Sequence, residues 1–427
     1  MNHIRYFKNR HHKKPYAQLI TLLCCGSLIS TVNASGFRLP ELSVAGTALS
    51  SAVVANPDLP GALPYNPSVM AFQQEGQVLV GVVLIQPDIS VDPAVGNKTT
   101  SQGKDSITVP SLFVTQVINQ QWSWGLGLNA PFGLETDWPA GTFGTFALGG
   151  ASSAALEPAH SKLEMLNLNP NIAFQINTNT SVAFGIDNYI VRKLIFNTQA
   201  IKIDGDGRDY GWNIGLLHRQ NQWSVGLAYR SSVKVKLKGT VDASAVGSTA
   251  SSGSAEVEFP SMLQLGGRYQ LNKILALELD IEKTGWNSFD TIEIKHSSPG
   301  ITNPITSSNN WDNAMVYRLG ATYELSTSNQ LRFGYAYDKT PIPDDFFSAR
   351  VPGNDRQTLS LGLAHQQKDW SIELGYMYVQ ADKRKIASSS NFLAGLPGNT
   401  DPNGSDAYNG TYEFKAHLIA LGINTQF

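Results

Sequence analysis

The chain closes on Ile419-Ala-Leu-Gly-Ile-Asn-Thr-Gln-Phe427, and these nine residues decide how the rest is read. Ile419, Leu421, Ile423 and Phe427 fall on one parity, while Ala420, Gly422, Asn424 and Gln426 fall on the other. Successive side chains of a strand point to opposite faces, so this period of two predicts a strand with one apolar face and one small or polar face. A last strand of that kind, ending on an aromatic residue, fits the closing strand of a bacterial outer-membrane barrel.

Working inward, the alternation recurs. From Ser224 to Lys238, Val225, Leu227, Tyr229, Val233, Val235 and Leu237 occupy odd positions, opposite Ser224, Gly226, Ala228, Arg230, Lys234, Lys236 and Lys238, which predicts one continuous aliphatic face. Between Leu166 and Ile176 the apolar residues are even and Asn167, Asn169 and Asn171 are odd. Leu275, Leu277, Leu279 and Ile281 oppose Ala276, Glu278, Asp280 and Glu282; Leu331, Phe333, Tyr335 and Tyr337 oppose Arg332, Gly334, Ala336 and Asp338. A soluble sandwich would alternate in the same way, so connection lengths must separate the two. Short polar turns near Asn119, Asn177, Asn221, Asn272, Ser328 and Lys368 alternate with longer segments near 92–103, 136–160, 197–207, 239–255, 293–311, 341–355 and 383–410. Short turns on one side and long loops on the other are the pattern of an outer-membrane barrel. Thirteen connections join 14 strands, so residues 77–427 are expected to form a 14-stranded antiparallel transmembrane β-barrel with both ends on the periplasmic side. Trp122, Trp124, Trp212, Trp223, Trp286, Trp311, Trp370, Tyr317, Tyr378 and Tyr412 are expected in the girdles where such barrels meet the lipid head groups.

The other end agrees. Arg5, Lys8, Arg10, Lys13 and Lys14 precede a mostly apolar stretch, Ala17 to Ile29, and Val32-Asn33-Ala34 supplies small residues for cleavage. Residues 1–34 therefore read as a secretory signal peptide, too short to span a bilayer, with the mature chain expected to start at Ser35. Both cysteines, Cys24 and Cys25, lie within it, so no disulfide framework is expected. Without its five basic residues the chain carries 27 Lys and Arg against 34 Asp and Glu. That acidic balance points away from nucleic-acid binding. After residue 34 no apolar run approaches the roughly 18 residues of a membrane helix.

Residues 35–76 do not alternate. They are rich in Gly, Ala and Ser and contain Pro40, Pro57, Pro60, Pro64 and Pro67. A 14-stranded barrel encloses more space than its own side chains fill, and this segment is expected to fold inward as a hatch, or plug.

Several stretches then occur in an order that resembles the FadL-type outer-membrane transporters of long-chain fatty acids and other hydrophobic compounds. They are Ser35-Gly36-Phe37, Asn66-Pro67-Ser68, Ala130-Pro-Phe-Gly-Leu-Glu-Thr136, Tyr210-Gly-Trp-Asn-Ile-Gly-Leu216, Tyr229-Arg-Ser231, Thr284-Gly-Trp-Asn287, Tyr335-Ala-Tyr-Asp338 with Pro341 and Pro343, and Asp355-Arg356. The resemblance implies a 14-stranded barrel with an N-terminal hatch. It implies passive entry of ligand from outside, an apolar pocket near the hatch, and lateral exit beside a kinked strand. By the same resemblance Phe37 lines the pocket and Arg192 lies near a ligand carboxylate. A second basic residue of the family pattern is missing where Asp312 stands, which leaves room for uncharged ligands. The hatch motif is Asn66, Pro67 and Ser68, with the Asn66 side chain holding the hatch against the kinked strand. Pro131, after Gly125 and Gly127, is expected to produce the kink, because proline removes a ladder donor and glycine weakens a strand.

The expected partners are a long-chain fatty acid or hydrophobic small molecule, outer-membrane lipids, and the barrel assembly machinery through the strand ending at Phe427. The chain is expected to act as a monomer, without cofactor or metal, and not as an enzyme. His160, His218, His296, His365 and His417 are scattered without metal spacing. Asp204-Gly-Asp-Gly-Arg-Asp209 departs from a calcium loop at Arg208 and Asp209 and reads as an external turn. A polar porin is the main alternative, against which the apolar 35–76 segment argues. A lipid hydrolase ranks lower: His365 and Ser360 do not share a parity, and His218 has no nearby nucleophile.

Overall fold

The computed structural model describes residues 36–101, 106–389 and 405–427; the signal peptide and the Ser35 start lie outside them. Among the described residues fourteen strands form one antiparallel ring: β1 Gln77–Pro93, β2 Ile107–Val117, β3 Trp122–Asn129 with Gly133–Asp137, β4 Pro158–Asn177, β5 Thr180–Thr198, β6 Lys202–Gln220, β7 Trp223–Arg230 with Val233–Asp242, β8 Ser251–Phe259 with Met262–Asn272, β9 Leu275–Thr284, β10 Ala314–Glu324, β11 Asn329–Asp338, β12 Arg356–Gln366, β13 Trp370–Ala381 and β14 Gly410–Gln426. Each pairs with its neighbour in sequence, and β14 closes on β1 from Gln77↔Gln426 to Pro93↔Gly410. Closure leaves no free edge strand, and pairing of the strands is what permits them to cross lipid at all. Gly76 and Phe427 exchange backbone bonds of 3.1 and 2.9 Å at the seam.

The facing of the terminal strand follows its parity: Ile419, Leu421 and Ile423 are each about half exposed on the outside, while Ala420 is fully buried inside. All six short turns fall where expected. One long loop does not exist. Between β5 and β6 only residues 199–201 intervene, and Asp204 to Asp209 lies within β6. Asp204, Asp206 and Arg208 point outward and the alternate Gly205 and Gly207 lie over the backbone of β7, so a sequence that looks like a turn is a strand rising into water.

The outer face of β6 displays the boundary directly. Lys202, Asp204, Asp206 and Arg208 are followed by Tyr210 and Trp212, then by Ile214 and Leu216, all exposed. Polar, aromatic and aliphatic residues succeed one another as water, head groups and hydrocarbon would require. Trp122, Trp124, Trp223, Trp370 and Tyr317 join the outward girdles. Trp286, Trp311 and Tyr412 do not: all three are buried inside, because they belong to the upper part of the molecule, where the interior is the apolar side.

That reversal also corrects the continuous face expected for Ser224–Lys238. In the lower part of β7, Val225 and Leu227 face out and Ala228 and Arg230 face in. Ser231 and Ser232 interrupt the strand, after which Val233, Val235 and Leu237 are buried and the lysines are exposed. β8 does the same across Pro260 and Ser261: Leu263 and Leu265 are exposed below, Val257 and Phe259 are buried above. The two interruptions face each other, between the pairs Arg230↔Met262 and Val233↔Phe259.

Residues 36–76 lie inside the lower half. A short helix, α1 Val44–Ala48, and two 3₁₀ turns, Pro60–Ala62 and Pro67–Phe72, are all the regular structure they have, so their backbone donors need partners from the wall. Luminal carboxylates provide them. Asp280 Oδ2 accepts from Val53 N at 2.8 Å and Val54 N at 3.0 Å, and Glu278 Oε1 accepts from Ala55 N at 2.7 Å. Glu282 is fully buried between Arg38 and Arg318.

Candidate functional site

Above this segment the barrel interior is an aromatic nest. Phe37, buried, has Trp286 at 4.7 Å between ring centroids, Phe289 at 5.2 Å, Trp311 at 5.7 Å, Phe132 at 6.0 Å and Phe259 at 6.3 Å, mostly edge to face. Such packing is stable beyond the apolar area it removes from water. Beside the nest runs a partly open cavity, with about 1120 Å³ of space free of protein atoms that includes its opening to solvent. Its walls are almost wholly apolar, with Phe37 and Phe259 at the nest end, Val191, Ile203 and Val257 along the strands, and Ile342 and Phe346 from the β11–β12 loop. The upper half of the barrel thus keeps its hydrophobic residues for the inside, where an apolar guest can displace water.

The wall next to the cavity is broken. β3 stops at Asn129 and resumes at Gly133. β2 pairs with β3 only from Leu112↔Leu128 to Val117↔Ser123, and Gly133–Asp137 pairs with β4 alone. Between Ile107–Ser111 and residues 130–136 there is no ladder among the described residues. The opening is bounded above by Ser101, whose Oγ accepts from Asp137 N at 2.9 Å. From inside, the start of the luminal segment attaches to the break: Leu39 N donates to Pro131 O at 2.9 Å, Gly133 N donates to Phe37 O at 3.1 Å, and Arg38 bridges to Phe132. Phe37 therefore belongs both to the nest and to the segment that holds the break.

The other sequence candidates are distributed differently. Pro131 sits in the interruption itself. Gly125 and Gly127 do not; they lie in the regular part of β3, and a side chain at Gly125 would collide with Met70 Sδ and crowd Leu63. Gly125 makes room for the luminal segment, while a Cβ at Gly127 would only touch Phe113 and Leu63 at ordinary distances. Asn66 is fully buried as the cap of the Pro67–Phe72 turn, its Oδ1 accepting from Ser68 N at 3.2 Å and from Ser68 Oγ at 2.5 Å. Its Nδ2 donates to Val54 O at 2.9 Å and to Leu216 O at 3.1 Å. It ties the segment to β6, not to the interrupted β3 as the sequence reading expected. Gly215 and Gly226 make this seat possible, since a side chain at either would strike Asn66. Arg192 lies with Lys193 in a bulge of β5 between Val191 and Leu194 and is exposed on the outside; it does not reach the cavity wall formed by Val191 and Leu194.

One residue of the cavity wall carried no sequence signal. Arg350, in the loop between β11 and β12, is 7% exposed. Its Nη1 donates to Ser161 Oγ at 2.7 Å, and its guanidinium lies 3.8 Å from the ring centroid of Phe196. Burial pushes it down to about 10 from the usual arginine value. Trp138 Nε1 and Thr136 Oγ1 hold its loop through Ala349 O and Arg350 O, at 2.9 and 3.2 Å. Nothing local distinguishes it from any other loop arginine.

Residues 26–427 match the model of a family described as outer membrane protein transport protein (OMPP1/FadL/TodX). A long-chain fatty acid transport protein of Escherichia coli O6:H1 is 26% identical, over 94% of this chain and 96% of its own. The crystal structure of a Pseudomonas aeruginosa FadL homologue superimposes with a TM-score of 0.75 at 20% identity, covering 92% of this chain and all of that one. The Ralstonia pickettii toluene transporter TbuX gives 0.67 at 16% identity, covering 92% of this chain and 99% of its own. These two solved structures share the barrel fold.

Proposed function

The chain belongs to the outer membrane protein transport family (OMPP1/FadL/TodX), and we propose that it passes long-chain fatty acids or other hydrophobic compounds across the Gram-negative outer membrane by passive diffusion. The observation that carries this reading is the apolar cavity beside Phe37, set directly against the break in β3. An alkyl tail of about 12 methylenes entering such a cavity gains on the order of 10 kcal/mol gross, and association and ordering costs remove much of it. Affinity is thus moderate enough for release.

In this reading residues 35–76 are a hatch and 77–427 the transmembrane barrel. The hatch blocks the straight path to the periplasm with a continuous hydrogen-bonded plug, so ligand leaves sideways between β2 and β3, where no ladder has to be opened. Phe37 moves with the Phe37–Leu39 backbone that lines this window, which couples occupancy of the nest to the exit. Asn66, Pro67 and Ser68 keep the hatch seated. Gly125 serves the same seat, and Pro131 keeps the window unpaired.

The test is uptake of radiolabelled palmitate by cells in which this protein is the sole route, alongside conductance of the purified barrel in planar bilayers. Saturable uptake with little steady ion current is expected; a large steady current without palmitate uptake supports the porin reading instead. Ala130→Trp, which narrows the window, should slow uptake while leaving palmitate binding intact. Unchanged uptake would place the exit elsewhere.

A further inference from the structure

Just above the aromatic girdle, one sector of the outer wall gathers cations. On β5, β6 and β7, the exposed Arg192, Lys193, Arg208, Lys234, Lys236 and Lys238 stand against a single exposed carboxylate, Asp206. Their heights agree. Tyr210 pairs with Asn188 and Arg208 with Ile190, so Arg208 is the first outward residue of β6 above Tyr210, and Arg192 lies one outward step higher on β5. Lys238 pairs with Asp206 and Leu237 with Gly207; continuing that register puts Lys236 beside Arg208 and Lys234 beside Tyr210. Glu256 and Glu258 of β8 edge the cluster, but only Glu258 engages it, at 3.5 Å from Lys234. Arg192, Lys193, Arg208, Lys236 and Lys238 have no carboxylate within 4.0 Å among the described residues. Across the barrel, by contrast, Lys415 of β14 meets Asp88 of β1 at 3.3 Å, and Glu413 takes Lys383 at 2.9 Å.

Two backbone irregularities produce the cluster. The bulge between Val191 and Leu194 exposes both Arg192 and Lys193, where a regular strand would send one of the two inside. The break at Ser231 and Ser232 brings Val233 inside and so turns the three lysines of β7 outward at the height where the lipid ends. Like charges gathered on one wall repel one another and are stabilised by a partner of opposite sign. Below them the same sector exposes Tyr210 and Trp212, then Ile186, Ile214 and Leu227. From top to bottom it therefore presents cations, amphipathic aromatic rings and aliphatic side chains. An anionic glycolipid lying against the wall has the matching order of phosphate, sugar and acyl chain.

We propose that the sector around Arg192, Arg208 and Lys236, with Tyr210 and Trp212, is a docking surface for a phosphorylated glycolipid of the outer leaflet. Its phosphates rest on the cations, its sugars against the aromatic rings, and its acyl chains along Ile186 and Ile214. The assignment goes beyond transport and does not depend on it. The charge imbalance selects the lipid. A zwitterionic phospholipid brings an ammonium with each phosphate and offers the cluster no net charge, whereas a glycolipid with two phosphates on its head neutralises several cations at once. The guanidinium forks of Arg192 and Arg208 suit phosphate oxygens, which they can meet in bidentate fashion.

The experiment is native mass spectrometry of the full barrel in detergent, titrated with bisphosphorylated lipid A, its monophosphorylated form and phosphatidylethanolamine. Wild-type protein should bind the bisphosphorylated lipid most tightly and phosphatidylethanolamine least, and lipid A affinity should fall as salt is raised. The triple variant Arg192→Ser, Arg208→Ser, Lys236→Ser should weaken bisphosphorylated lipid A about 10- to 100-fold. Lys383→Ser with Lys415→Ser, which removes cations already paired across the barrel, should leave it within about twofold. Unchanged migration of the unheated variants in gel electrophoresis certifies that their barrels are folded. Equal loss in the two variants would reduce the effect to net charge and overturn the assignment. So would equal affinity of the wild type for the three lipids, or undiminished lipid A binding in the triple variant. Inorganic pyrophosphate competing as effectively as lipid A would give the cluster to a soluble anion and equally overturn the lipid. Palmitate uptake is a separate readout: its failure would sink the transport reading and leave this surface standing, and loss of lipid A binding would do the reverse.

Discussion

The lower and upper halves of this barrel are built on the same alternation with opposite meanings. Below, Leu227, Leu265 and Ile423 face outward and the interior holds Glu278, Asp280, Glu282, Arg318 and Arg230 around residues 36–76. Above, Lys234, Lys236 and Lys238 face outward and the interior is Val233, Val235, Leu237, Val257 and Phe259. The solvent outside changes from hydrocarbon to water, and the contents change from residues 36–76, anchored to luminal carboxylates, to an apolar cavity. Two-residue interruptions in β7 and β8 let those strands exchange faces at this level. The lower half is a membrane wall with residues 36–76 hydrogen-bonded to its inner face; the upper half is a cup with a polar outer face that continues it. Transport of a hydrophobic ligand needs both, because a cavity that is apolar inside can be offered to water only by a wall that is polar outside.

That contrast can be broken at its lower interior first. Glu282→Ala leaves the buried guanidinium groups of Arg38 and Arg318 without their shared carboxylate. It should destabilise the protein by roughly 3–5 kcal/mol, seen as a lower urea midpoint, and should raise steady conductance as residues 36–76 loosen. Unchanged conductance would mean that the charge network is not what seats residues 36–76. The outer surface offers the sharpest paired test. Leu265→Lys places a cation on the lipid-facing wall and should cost about 2–4 kcal/mol in lipid, whereas Lys236→Leu, the reverse exchange in the upper half, should stay within about 0.5 kcal/mol. Equal costs for the two would refute the placement of the water–lipid boundary at Tyr210 and Trp212. The smallest effect is at the junction. Asn66→Ala removes the cap of the Pro67–Phe72 turn and two donations to carbonyls. It should lower stability by about 0.5–2 kcal/mol and alter the uptake rate; an unaltered rate would reduce Asn66 to a purely structural cap.

Much of the fold was legible in the chain. Strand number and the six short turns follow from local signals, because alternation and Asn-, Ser- or Lys-bearing turns act over a few residues. The misreadings share one cause. Asp204–Asp209 looked like a loop and Trp286 and Trp311 looked like girdle residues because composition was interpreted as though the barrel ended where the lipid does. In the site, Phe37 and Pro131 were recognisable through the family resemblance, and the structure brings them to adjoining positions. Arg192 was picked from the same resemblance and lies on the outer side of a bulge, where a one-residue irregularity suffices to turn a side chain around. Arg350 could not have been found, since its burial depends on Ser161, Phe196 and Trp138, each from a distant part of the chain.

By itself, then, the sequence determined a closed ring of fourteen strands with an aromatic terminal seam at Phe427, because a period of two and short turns are properties of neighbouring residues. Only the tertiary structure decided which face of each strand is inside at each height, where the wall opens, and which cation meets the cavity. Those depend on strand interruptions that reverse facing, on pairings across the barrel, and on a loop folded over two strands that lie more than 150 residues earlier in the chain.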